Sequence, residues 1–125
     1  MIKIHTPNAP AAVGPYSQGI VSGQTLYVSG QLPFVAETMT LISPEVKDQT
    51  RKSLENILSI VEAAGFYKEN IVKCTVYMKD LSKFSEMNEA YQIFFQDHKP
   101  ARVAVEVSRL PKDVDVEIDA IAIKD

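Results

Sequence analysis

Cysteine is nearly missing from this chain: Cys74 is the one thiol in 125 residues. That excludes an internal disulfide and any paired-cysteine metal or redox motif. Histidine is almost as scarce, and His5 and His98 stand too far apart to form a familiar ligand spacing, so no metal site is expected. Basic charge is not in excess either. Thirteen Lys and Arg against sixteen Asp and Glu leave a formal charge of −3, with the basic residues dispersed rather than gathered in a stripe. A nucleic acid is therefore not an expected partner. No apolar run approaches the roughly 20 residues that span a bilayer, and the opening MIKIHTPNAPAAVGPYSQG has no basic segment followed by a long apolar one. The expectation is a soluble, unprocessed, cytoplasmic protein with no membrane partner.

What is present reads as one domain, residues 1–125, long enough to bury a real core. Ile2 to His5 forms a short opening strand, and Thr6-Pro7-Asn8-Ala9-Pro10 ends it in a loop. Gly14-Pro15 stiffens the approach to Tyr16, whose ring is either a core or interface aromatic or a hydroxyl lining a pocket. Ser17 to Ser22 and Thr25 to Ser29 read as strands joined at Gly23-Gln24, a pair suited to a tight hairpin. Ser29-Gly30 then places a hydroxyl and a glycine where a strand ends, which marks either close backbone approach by a ligand or a bulge. Pro33 to Ile42 lacks a period and is expected as a loop or weakly paired ribbon.

Ser43-Pro44-Glu45 is expected to open a long helix, with Ser43 as N-cap, Pro44 at the first helical position and Glu45 in the first turn. Its stripe of Val46, Thr50, Leu54, Ile57, Leu58, Val61 and Ala64 is core, and Gly65 ends it. Asn70 to Met78 returns to period two and turns Cys74 inward as a small hydrophobe. Asp80-Leu81-Ser82 supplies caps for a second helix from about Lys83 to Gln96, with Phe84, Met87, Ala90 or Tyr91, and Phe94 inside.

The last third holds the residues with the most chemistry. In Pro100 to Lys124, Val103, Val105 and Val107 alternate with Ala104, Glu106 and Ser108, with Arg102 just ahead of them. After Leu110-Pro111-Lys112-Asp113, a turn, Val114 to Ile123 alternates again and carries Glu117 within it. An unpaired charge in a core costs several kcal/mol, so Arg102 and Glu117 belong in a polar place. Either they form a structural ion pair or face solvent, or Arg102 clamps a ligand carboxylate through its forked donors while Glu117 handles a water or a proton. The element order βββαβαββ makes an α+β domain with a mixed sheet and both helices on one face. The other face, carrying valines and isoleucines, needs a partner the chain does not supply. A homo-oligomer with sheets facing inward follows, its subunit boundaries offering clefts for a small ligand.

NAPAAVGPYSQGI, LYVSGQLP, TRKSLENILSIVEAAG, VKCTVYMKDLSKFSEMNEAY and PARVAVEVSRLPKDVDVEIDAIAIK together resemble the RidA/YjgF family of reactive-intermediate deaminases, nearly end to end. The resemblance implies a chorismate-mutase-like subunit in a homotrimer around a central sheet barrel, with sites between subunits. It implies hydrolysis of 2-imino acids such as 2-iminobutanoate and 2-iminopropanoate to 2-oxo acids and ammonia, with no cofactor. By motif matching, Arg102 is the carboxylate-binding arginine, Glu117 the water-positioning acid, and Tyr16, Ser29 and Gly30 line the pocket. Two departures stand out. Ala104 occupies a position where some members carry cysteine, and Met39 follows Thr38 where the family's turn has glycine. Phe34 and Met39 are candidates to narrow the pocket mouth. Two other readings remain, a sensor that binds 2-oxo acids without turnover and an endoribonuclease or translation inhibitor.

Overall fold

The computed structural model describes residues 1–125. Period-two segments become strands: β1 Ile2–Ile4, β2 Gly19–Ser22, β3 Thr25–Gln31, the two-residue β4 Phe34–Val35 and β5 Thr40–Leu41, β6 Ile71–Met78, β7 Ala101–Glu106 and β8 Val116–Ile123. The apolar stripes become α1 Val46–Ala63, placed between β5 and β6, and α2 Phe84–Phe95, placed between β6 and β7. Six strands form one mixed sheet in the order β1-β2-β3-β8-β6-β7. Only β6 and β7 run parallel, because α2 carries the chain back across the sheet between them. Gly23, with φ +61°, opens the two-residue turn that pairs Ser22 with Thr25.

Both helices cover one face, as expected. Leu54, Ile57, Ile60 and Val61 of α1 and Met87 and Tyr91 of α2 pack on Leu26, Val28, Ile71, Val76, Ile118 and Ala122. Each fully buried aliphatic side chain contributes about 1.5–3 kcal/mol. The opposite face leaves Tyr27, Val103, Val105 and Ile123 exposed. On β7 the valines thus turn outward, and Arg102 with Ala104 faces the helix side.

Several boundaries differ from expectation. Helix α1 starts at Val46 with Glu45 as its N-cap. Ser43 instead accepts the Glu45 N–H at 2.9 Å and donates to Asp48 at 2.8 Å, a side-chain turn just ahead of the helix. Phe95, not Phe94, is the fully buried aromatic of α2, and Phe84 lies at the surface. Strand β2 begins at Gly19 because the groups before it serve other partners, the Ser17 carbonyl accepting from the Ser29 hydroxyl at 2.6 Å. Gly65, with φ +83°, does end α1. The Pro33 to Ile42 segment is the weak ribbon β4-β5, and Met39 holds a φ of +56° at its turn. A methionine in the left-handed region carries strain that glycine would not.

Candidate active site

Arg102 sits on β7 opposite Cys74 of β6, on the helix side of the sheet. Its Nη1 donates to Asn88 Oδ1 of α2 at 2.8 Å. The guanidinium carbon lies 4.8 Å from the Tyr91 ring centre and 5.4 Å from that of Phe84, so one amide and two π faces fix its plane. No carboxylate forms an ion pair with it. It lines a cavity of about 480 Å³ together with Asn88, Tyr91, Gln92, His98 and Lys99, and no Asp or Glu lines that cavity. The arrangement leaves most of a fixed, half-buried fork available to an anion.

Glu117 sits on β8 opposite Tyr77 of β6, with its side chain on the face away from the helices. Its carboxylate lies directly over Gly30, where an added Cβ would collide with Oε2. Burial, and then the charge of Asp119, push the Glu117 carboxyl above the usual glutamate range. Tyr16, Ser29, Gly30 and Glu117 line one cleft of about 440 Å³ with Val13, Leu32 and Lys112. Lys112 and Asp113 both adopt positive φ, and the Asp113 carboxylate accepts from Arg109 Nε at 2.7 Å to hold that turn. Ser29 gives its hydroxyl hydrogen to the Ser17 carbonyl. It can therefore accept from a ligand but has no proton to donate, and the Tyr16 hydroxyl is the free donor of the pair.

One chain thus joins Tyr16, Ser29, Gly30 and Glu117 and keeps Arg102 apart from them. The register gives the reason: Arg102 aligns with Cys74 and Ala120, whereas Glu117 aligns with Tyr77 and Val105, one step out of phase. In a period-two strand that step puts the two side chains on opposite faces. The ion-pair alternative for Arg102 and Glu117 within one chain is excluded on this geometry.

Sequence reasoning missed three residues that build the site. Asn88 orients Arg102, and an asparagine on the polar flank of an amphipathic helix gave no signal. Gln18 is fully buried; it accepts from the Thr6 N–H at 2.7 Å and donates to the Thr6, Ala9 and Pro10 carbonyls, which anchors the loop that presents Tyr16. Tyr91 supplies a stacking face, and its buried hydroxyl has no oxygen or nitrogen partner and lies against the Cys74 thiol. Phe34 and Met39 are not among the residues that line either cleft of this chain. Cys74 is buried with its thiol pushed up to about 11, chiefly by desolvation. No group of three His, Cys, Asp or Glu side chains is arranged to hold a metal ion, and no helix is long and apolar enough to cross a membrane.

A family model described as Endoribonuclease L-PSP matches residues 6–124. A 2-iminobutanoate/2-iminopropanoate deaminase of Salmonella typhimurium is 50% identical over 124 residues, covering 97% of this chain and 96% of that protein. The crystal structure of the Escherichia coli YjgF gene product, 48% identical, covers the full length of both chains with a TM-score of 0.96. That of Escherichia coli TdcF with bound serine, 44% identical, also covers both chains fully, with a TM-score of 0.96. On fold, length and sequence together, this chain belongs to the Endoribonuclease L-PSP family and, within it, to the RidA/YjgF proteins.

Proposed function

We propose that the protein hydrolyses small 2-imino acids, among them 2-iminobutanoate and 2-iminopropanoate, to 2-oxo acids and ammonia, at composite sites between the protomers of a cytoplasmic homotrimer. The observation that carries this reading is Arg102: a half-buried guanidinium, held by Asn88 and two rings, in a cavity that no acid lines. A cation kept without an anion in a chain of net negative charge is arranged for an anionic ligand. Its own Glu117 lies on the far face of the sheet. A neighbouring subunit therefore supplies the Glu117 cleft that completes the site. The curated Salmonella relative named as this deaminase, and the bound serine in the TdcF structure, an amino acid with the same carboxylate, support the reading.

The chemistry asks little beyond orientation. Arg102 binds the carboxylate beside the C=N carbon, and Glu117 accepts a proton from a water as its oxygen adds to that carbon. Nitrogen takes that proton from Glu117, giving a tetrahedral amino alcohol. Glu117 then accepts the hydroxyl proton as C=O re-forms and the C–N bond breaks, and passes it to the departing nitrogen, which leaves as ammonia. A carboxyl raised above its ordinary range is a stronger base when ionised and a usable acid when protonated. Holding water and imine in line supplies the larger share of acceleration. No redox step or covalent enzyme intermediate is needed.

The test is ammonia release from imines generated in situ by an amino acid oxidase. Arg102→Lys keeps the charge and loses the fork, and a drop in kcat/KM of about tenfold to a hundredfold corresponds to one charged hydrogen bond of roughly 1.5–3 kcal/mol. Undiminished turnover in that variant defeats the clamp. A sensor reading uses the same Arg102 cavity and is favoured if 2-oxo acids bind with no rate enhancement at all. The family model's ribonuclease description meets the contrary charge balance of 13 basic against 16 acidic residues.

A further inference from the structure

On the open face of the sheet, Glu117 has a second carboxylate beside it. Asp119 lies two residues along β8 on the same face, about 7 Å away by the rise of a strand. Tyr77 stands across from both on β6: its Cα pairs with that of Glu117, while its hydroxyl passes Glu117 by and donates to Asp119 Oδ2 at 3.0 Å. Of the two carboxyls on this face, only Asp119 accepts a side-chain hydrogen bond, the one from Tyr77. Neither forms an ion pair. Lys73 lines a separate cavity of about 260 Å³ with Asp119, Thr75 and Tyr27, yet makes no ion pair that would cancel the Asp119 charge.

We propose that Tyr77 and Asp119 are positioning residues for the reaction: Tyr77 holds the Asp119 carboxylate in place beside Glu117, so that Glu117, left without a donor, is the carboxyl that exchanges protons with water and imine. This rests on the deaminase reading for what Glu117 does, but not for how its proton is held. A like charge alongside a carboxyl disfavours its ionisation. The direction found for Glu117, raised by burial and then by Asp119, agrees. Within the chain, the other groups around Glu117 leave that direction in place. Lys112 and Tyr16 line its cleft, Lys73 and Tyr27 lie towards Asp119, and Arg102 of the same chain is on the other face.

The experiment follows the Glu117 carboxyl directly, by carbon NMR of full-length protein labelled at glutamate carboxyls, with Glu117→Gln identifying the resonance. In Asp119→Asn the Glu117 titration moves to lower pH, towards an ordinary glutamate. In Tyr77→Phe it moves the same way by less, because Asp119 keeps its charge but loses the partner that secures it. In activity, Asp119→Asn shifts the acid limb of the kcat profile to lower pH and weakens the plateau, whereas simple loosening of the fold lowers the plateau without moving the limb. A Glu117 titration identical in wild type and Asp119→Asn overturns the inference and leaves the deaminase reading intact. Full turnover in Glu117→Gln defeats that reading's acid and leaves the titration result to be judged on its own. If Asp119→Asn does not fold, Tyr77→Phe carries the test, and an unmoved titration there overturns the role given to Tyr77.

Discussion

At the scale of single residues, Gly30 is the most tightly confined of the five glycines. A methyl group there would occupy the space of the Glu117 carboxylate. Gly30→Ala is expected to fold, since only a side chain must move, and to lose activity by about a hundredfold or more as the acid leaves its place. Steady-state imine hydrolysis beside a denaturation curve separates the two effects. Glu117 also carries a cost. Its folded pKa is raised, so the folded state holds this proton more tightly than the unfolded chain does. Stability from this group is complete below the unfolded value of about 4.3 and falls as pH rises through the folded one. Glu117→Gln should therefore unfold at a higher temperature than wild type near pH 7, and the gap should close below about pH 4. Thermal melts at both pH values decide it. Cys74, buried and with its thiol pushed up to about 11, should resist alkylation at pH 8 until the protein is unfolded, which a native-against-denatured mass shift would reveal.

At the scale of elements, three buried amides join loops to the core where apolar packing has no reach. Gln18 ties down the Thr6 to Pro10 loop. Gln49 of α1 accepts from the Asp115 and Val116 amides, which sets the start of β8. Asn56 of α1 donates to the Leu32 and Phe34 carbonyls, which pins the ribbon to the helix. Removing Gln18 leaves buried backbone groups without partners at a cost of about 1–3 kcal/mol each. Gln18→Ala should accordingly lose roughly 2–4 kcal/mol in urea denaturation. Because the same amide anchors the approach to Tyr16, activity should fall further than stability explains, and an unchanged kcat/KM in the folded variant would show that Tyr16 needs no such anchor.

At the scale of the whole molecule, the governing fact is that Arg102 and Glu117 face away from each other across one sheet. If sites form between protomers, inactive Arg102→Ala and Glu117→Gln chains should rescue each other when refolded together. In a ring of randomly mixed subunits about a quarter of the sites then pair an intact arginine with an intact glutamate, so about a quarter of wild-type activity should return. No recovery on mixing, with mixed oligomers shown to form, would place each site within one chain. The open face, with Tyr27, Val103, Val105 and Ile123 exposed, is the surface such an assembly would cover.

Much of this architecture was legible in the residues. Alternation from Val103 and from Val114, the helical stripes from Val46 and from Phe84, and turn chemistry at Gly23 and Gly65 depend on neighbours a few positions away, and local sterics and periodicity determine them wherever the chain lies. The family motifs pointed to Arg102, Glu117, Tyr16, Ser29 and Gly30 for the same reason: each stands in a short stretch whose residue types are themselves the signal. What only tertiary structure decided was which of these meet. Strand register fixes that Glu117 lies over Gly30 and across from Tyr77, that Arg102 turns to Asn88, and that the Ser29 hydroxyl is already committed to Ser17. Register and hydrogen-bond partners join positions 12 to more than 60 residues apart, and a one-residue change in pairing would reverse every face, so no local pattern contains that information.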